Sequence, residues 1–152
     1  MRILVAAVGR ARKGPERTLF EHFAGRLGGS VQLMEIEEKK PLPAARLKRR
    51  EGELLLARVP DGAVVVALDS TGRDLTSRAF ADQLRAWRDD GVRDLAFLIG
   101  GAEGLDAGLL ADADLVLSLG PMTWPHLLVR ALLAEQLYRA HSILDGHPYH
   151  RG

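Results

Sequence analysis

Three observations predict an α/β domain with a mostly parallel sheet flanked by helices. Apolar runs of strand length alternate with longer amphipathic stretches along the whole chain. Most of those runs are continuous rather than alternating, as in strands covered on both faces. The chain has 152 residues, 47% of them apolar, enough for one core, and no linker, repeat or low-complexity segment divides it.

The elements follow in order. Ile3–Val8 reads as a first strand. It is too short to span a membrane, and Met1 leads into it without the basic leader of a signal peptide, so a cytoplasmic protein is expected. Glu16–Leu27 reads as a helix stopped by Gly28 and Gly29. Val31–Ile36 is the second strand, and Glu37–Ala44 is the loosest stretch of the chain. A helix over Ala45–Val59 lies between the breakers Pro41 and Pro43 and the stop at Pro60. Ala63–Leu68 is the third strand. Thr76 or Ser77 caps a helix that runs to Asp90 and stops at Gly91. Leu95–Ile99, a short helix at Ala107–Ala111 and the strand Leu115–Leu119 come next. The last helix starts near Pro125, where proline is tolerated in a first turn, and reaches about Leu144.

Composition narrows the chemistry. No cysteine is present, which excludes disulfides, thiolate zinc sites and cysteine nucleophiles. Aromatic residues are only 5%, so the core must be mainly aliphatic. The formal net charge of +1 gives the whole molecule no strong pull on nucleic acid. Locally, however, Lys39, Lys40, Arg46, Lys48, Arg49 and Arg50 fall close together. They form either a solvated helix face or a phosphate-contacting patch.

A parallel sheet binds ligands beyond the carboxyl ends of its strands, so the loops after Leu68, Ile99 and Leu119 carry the site. Leu68-Asp69-Ser70-Thr71-Gly72 reads as a turn after the third strand. Ile99-Gly100-Gly101-Ala102-Glu103-Gly104 is rich in glycine, which permits close backbone approach. It is neither a dinucleotide fingerprint nor a phosphate loop, because the spacing is wrong and no Lys-Ser/Thr follows. Gly120-Pro121-Met122-Thr123-Trp124-Pro125 is stiffened by two prolines, and its Trp124 suits either core packing or a flat ligand ring. Together the three loops describe a pocket of backbone groups and apolar walls suited to an adenosine-type ligand.

The last helix places Arg130 one turn after His126 on the same face. Its apolar residues Leu127, Leu128, Ala131, Leu132, Leu137 and Ile143 spread around much of the circumference, which hints at burial against a second subunit. The chain ends in His147-Pro148-Tyr149-His150-Arg151. No third ligand accompanies the two histidines, so no metal site is expected there.

Three of these segments carry a specific resemblance: Leu98–Leu105, the stretch from Pro125-His126-Leu127-Leu128-Val129-Arg130 to Glu135-Gln136-Leu137-Tyr138-Arg139-Ala140, and the terminal His147–Arg151. In order and spacing the chain resembles, over its whole length, the ribosomal large-subunit pseudouridine N3-methyltransferases of the SPOUT class. The resemblance implies a C-terminal trefoil knot, S-adenosylmethionine as cofactor and a homodimer. It implies methylation at N3 of pseudouridine 1915 in helix 69 of 23S rRNA, on the large subunit or the 70S ribosome. Carried over residue by residue, it implies cofactor contacts at Leu68, Gly101, Gly120, Pro121, Met122, Thr123, Trp124 and Pro125. It further implies that His126, Arg130, Tyr149, His150 and Arg151 frame the target base. Neither membrane nor metal is implied. A methyltransferase of this fold acting on tRNA, or a non-catalytic ribosome-binding factor, remain the alternatives.

Overall fold

The computed structural model describes residues 1–152. In its first strand, β1 (Arg2–Val8), Val5, Ala6 and Ala7 have no exposed surface. Neighbouring strands flank it on both edges and helices cover both its faces, which is why the run is continuously apolar. The remaining strands are β2 (Val31–Ile36), β3 (Val64–Asp74), β4 (Asp94–Ile99) and β5 (Leu115–Ser118). The helices are α1 (Pro15–Gly25), α2 (Ala44–Leu56), α3 (Ser77–Asp89), α4 (Ala107–Asp112) and α5 (His126–Asp145). All strand pairs are parallel, in the order β2-β1-β4-β3-β5.

Local chemistry sets the helix ends. Pro15 opens α1 where its missing N–H costs nothing. The Thr76 hydroxyl caps α3 by accepting the Ala79 N–H at 3.0 Å, and the Asp106 carboxylate caps α4 by accepting that of Gly108 at 3.1 Å. Gly146 ends α5 in the left-handed conformation, φ 71°. The expected helix boundaries hold to within three residues.

The sheet separates two apolar layers. On one face α1, α3 and α5 cover Val5, Ala7, Val66, Leu95, Phe97 and Leu117. On the other, Leu55 of α2 and Leu109 of α4 pack with Leu4, Ala6, Ala67, Ala96 and Leu98. Helix α5 lies against both α1 and α3, which buries Ala131, Leu133, Ala134, Leu137 and Ala140 within one chain. Of the six apolar residues that suggested a second subunit, Leu128, Ala131, Leu137 and Ile143 pack into this core, whereas Leu127 and Leu132 stay half-buried outside it. No helix is long and apolar enough to cross a membrane.

One element departs from expectation. A simple turn was expected after Leu68, yet the strand resumes: Leu117 of β5 pairs with both Leu68 and Arg73. The four residues between them are looped out. Asp69 closes this loop, its carboxylate accepting the Thr71 N–H at 3.0 Å and the Thr71 hydroxyl. At its far end Gly72 lies so close to β5 that a Cβ would stand 2.6 Å from the Val116 carbonyl carbon. No other residue type fits there without moving the backbone.

Candidate functional site

The carboxyl ends of β3, β4 and β5 converge as anticipated. Between them is a cleft open to solvent. Leu68, Ile99, Leu117, Leu119 and Val129 supply apolar walls, and Gly100, Gly101, Gly104 and Gly120 supply backbone. Met122, Thr123, Trp124 and His126 complete the lining together with Asp69 and Ser70.

Glycine is required here by space. A Cβ on Gly100 would sit 2.7 Å from the carbonyl of Gly104, and one on Gly101 would sit 3.0 Å from Val8 Cγ1. The loop folds back on itself through a Gly101–Gly104 bridge. Across the cavity, Gly120 adopts φ 106°, and the Ser118 hydroxyl donates to its carbonyl while accepting its N–H. Pro121 and Pro125 do not line the cavity; they shape its rim, and Pro125 caps α5. Met122 and Trp124 are exposed, at 72% and 40%, although both belong to the lining. Exposed large apolar side chains at a cavity mouth are the normal mark of a ligand edge.

Charge decides what can bind. No lysine or arginine faces the cavity, and Asp69 is its one carboxylate. A phosphate chain would find no cation there. Apolar walls, exposed backbone groups and a lone carboxylate suit a ligand with a flat apolar part and a positive charge. No group of three or more His, Cys, Asp or Glu side chains is placed to hold a metal.

His126 and Arg130 share a helix face but not a role. His126 lines the cavity, and its Nε2 lies 3.7 Å from where a Cβ of Gly9 would stand. Arg130 is absent from the lining, and its side chain is 2% exposed. Its guanidinium donates to the Glu35 carboxylate at 2.6 Å and to the carbonyls of Val8 and Gly9 at 3.0 and 2.8 Å. Only its Nε lacks a partner. With these donors committed, Arg130 holds the first turns of α5 to the ends of β1 and β2 and does not line this cavity. Burial pushes the Glu35 carboxyl up, but the Ala11 N–H, the Arg130 bond and charge, and Arg10 outweigh it and hold it below the usual range.

The terminal tail is anchored, but away from the cavity. The Tyr149 hydroxyl donates to Glu135 at 3.1 Å, its ring meets Tyr138 edge-on at 4.7 Å, and Arg139 lies 4.9 Å over its face. Arg139 also donates to His150 Nδ1 at 3.1 Å, so that ring carries its proton on Nε2. Arg78 of α3 reaches the Gly152 carbonyl at 2.9 Å. Arg151 is exposed and forms no ion pair. Glu135 lies nine residues along α5 from His126, about 14 Å at a helical rise. One chain therefore does not bring Tyr149 and His150 to His126. Desolvation and the Glu135 contact push the Tyr149 phenol up, so it stays protonated.

Sequence reasoning passed over one further residue. Glu51 of α2 is 8% exposed, and a Cβ on Gly101 would stand 3.4 Å from its Oε2. Burial, with the charge of Glu103, pushes its carboxyl above the usual range. The signal was available, since Glu51 interrupts the apolar spacing of Leu47 and Leu55 on one helical face. The basic cluster, by contrast, divides. Lys39 and Lys40 are exposed just after β2, whereas Arg50 is neutralised by Glu38 and Glu53.

The family model described as "Predicted SPOUT methyltransferase" matches residues 1–150. A protein of Paramagnetospirillum magneticum named "Ribosomal RNA large subunit methyltransferase H" is 62% identical over 151 residues, covering 99% of both chains. A protein of the same name from Rhodospirillum centenum is 58% identical over the same share. The structure of a probable methylase family protein from Haemophilus influenzae superposes with a TM-score of 0.59 at 13% identity. That superposition covers 99% of this chain and 70% of the other, and it speaks for the fold alone. The cavity at the strand ends and these full-length matches agree: the chain belongs to the SPOUT methyltransferase family, among its ribosomal RNA large subunit methyltransferase H members.

Proposed function

We propose that this protein methylates N3 of pseudouridine 1915 in helix 69 of 23S rRNA, using S-adenosylmethionine, on the large subunit or 70S ribosome in the cytoplasm. The observation that carries the cofactor assignment is the cavity at the ends of β3, β4 and β5, glycine-lined, with Asp69 as its single carboxylate and no cation. Leu68, Gly101, Gly120, Met122, Thr123 and Trp124 hold the cofactor, with Pro121 and Pro125 fixing the loop. When bound, the sulfonium supplies an electrophilic methyl group.

The chain's own residues provide position and charge. His126 faces the cavity beside the place the base must occupy. Burial and its bond to Glu135 push the Tyr149 phenol up, which disfavours it as the base that takes the N3 proton. His150 accepts from Arg139 and presents its Nε2–H, a donor suited to an oxygen beside N3 as that nitrogen loses its proton. Arg151, free of ion pairs, adds a cation.

Within one chain the tail and His126 stand apart, so the tail that completes the cavity belongs to a second copy, and the active form is a homodimer. The looped-out segment between Leu68 and Arg73 and the glycine loop suit a SPOUT trefoil knot around the start of α5. The exposed Lys39, Lys40, Arg46 and Arg49 provide phosphate contacts.

Mass-spectrometric mapping of 23S rRNA from cells lacking the gene tests this reading. The expected result is an unmethylated pseudouridine restored by the wild-type gene. Full methylation in its absence would overturn the assignment. Calorimetry with S-adenosylmethionine separately tests the cavity.

A further inference from the structure

The chain leaves β1 through Gly9-Arg10-Ala11-Arg12-Lys13-Gly14. Arg10, Arg12 and Lys13 are exposed, and Ala11 is the one apolar side chain among them. Burial cannot order such a loop. Polar ties order it instead. The Gly9 N–H donates to Ile36 at 2.8 Å, the Gly9 carbonyl accepts from Arg130 at 2.8 Å, and the Ala11 N–H donates to Glu35 at 2.6 Å. The same Glu35 oxygen accepts from Arg130.

These ties anchor the start of a loop that carries three exposed cations next to the proposed site. Gly9 borders His126, which lines the cavity. The loop leaves the same edge of the sheet as the cavity, because β1 and β4 run parallel and in register. Nearby acids do not neutralise it. Arg10 meets Glu37 only at 3.5 Å with both side chains largely exposed, a weak pairing. Glu16 lies beside Gly14 rather than beside a cation. Arg12 and Lys13 have no ionic partner, and Glu35 is spent on Arg130. Lys39 and Lys40 leave the adjacent strand β2 at the same edge and continue the positive rim.

We infer that the loop Arg10–Lys13 grips the phosphate backbone of the RNA substrate, with Glu35 and Arg130 as positioning residues that hold it in register with the cavity. The inference rests on the methyltransferase reading above. Exposed cations on an anchored backbone, Arg12 and Lys13 without ionic partners, beside a cavity that itself lacks cations suit a polyanion that must be placed relative to one base. A loop meant only to connect two elements has no use for either the charge or the ties.

The test measures binding of the full-length protein to purified large subunits across a series of salt concentrations. The Arg12→Ala/Lys13→Ala variant is expected to bind about ten- to a hundredfold more weakly at low salt. The slope of log affinity against log salt should shrink by about two. Calorimetric affinity for S-adenosylmethionine should stay at the wild-type value. Glu35→Gln keeps every loop cation but weakens the tie, so it is expected to raise KM for subunits with the salt slope intact. Wild-type affinity and slope in the double variant would overturn the phosphate contact, and a wild-type KM in Glu35→Gln would overturn the tether. Either failure is distinct from failure of the functional reading, in which the wild-type protein itself would not methylate the subunits.

Discussion

Glu35 and Arg130 meet at 2.6 Å across ninety-five residues of sequence, joining the end of β2 to the second turn of α5. The pair is asymmetric, since Arg130 is buried and the Glu35 side chain is 29% exposed. Arg130→Ala would leave Glu35 and two strand-end carbonyls without their donor. The expected cost is about 2–3 kcal/mol, below that of a fully buried pair because water reaches Glu35. Urea unfolding measures it, and a cost under about 0.5 kcal/mol would show that the pair is ornamental to stability.

The same pair predicts an acid dependence. Glu35 is held below the usual value of 4.5, so its contribution is present above that value and is lost as pH falls through the lower folded value. Wild type should exceed Glu35→Gln in melting temperature by a constant margin near neutrality. That margin should close in acid. A margin independent of pH down to the acid transition would contradict the carboxylate's role.

Glu51 predicts the opposite sign. Its carboxyl is raised above 4.5 by burial and Glu103, so its favourable contribution is present below that value and lost as pH rises through the folded value. Glu51→Gln should therefore melt higher than wild type at neutral pH and converge with it in acid. Thermal melts across a pH series check both the sign and the convergence.

The glycine loop predicts a graded series. Gly100→Ala drives a Cβ to 2.7 Å from backbone, which cannot yield without reshaping the loop, whereas Gly101→Ala meets one methyl of Val8 at 3.0 Å, a tight contact that a shift of a few tenths of an ångström relieves. The first should cost about 1–3 kcal/mol in stability and at least tenfold in cofactor affinity; the second should cost less in both. Calorimetry with S-adenosylmethionine ranks them, and a reversed order would mean that the loop is not the cofactor cradle.

The tail predicts a split between binding and turnover. Tyr149→Phe removes the bond to Glu135 but keeps the ring against Tyr138 and Arg139. About 1 kcal/mol of ordering is lost, a roughly fivefold fall in kcat. Cofactor affinity should change little, because the tail is proposed to frame the target base rather than the cofactor. A fall in cofactor affinity instead would put the tail inside the cofactor pocket.

Strands and helices were legible because continuous apolar runs and capping residues act locally. The convergence of Leu68, Ile99 and Leu119 followed from strand direction alone. What escaped the sequence depended on pairings between distant residues. The resumption of β3 at Arg73 needs β5 as its partner. Arg130 looked free for catalysis because nothing near it in sequence announces Glu35 or the carbonyls of Val8 and Gly9. The family resemblance put the tail at the target base, but only the structure shows it leaning on Glu135 and Arg139, a helix length from His126.

The position of β4 between β1 and β3 has a consequence for biosynthesis. Arg2 pairs with Asp94, so one edge of β1 stays unpaired until ninety further residues have been made. During that interval a nascent chain presents Val5, Ala6 and Ala7 on an open strand edge, the feature most prone to wrong association. Because β1 and β3 are joined only through β4, the sheet closes late and through contacts distant in sequence, which makes folding slow for a chain of this size. Weakening β4, by replacing Phe97 with a polar residue, would lengthen that exposed interval. Such a lesion should appear first as insoluble protein during rapid expression and only second as a lowered melting temperature.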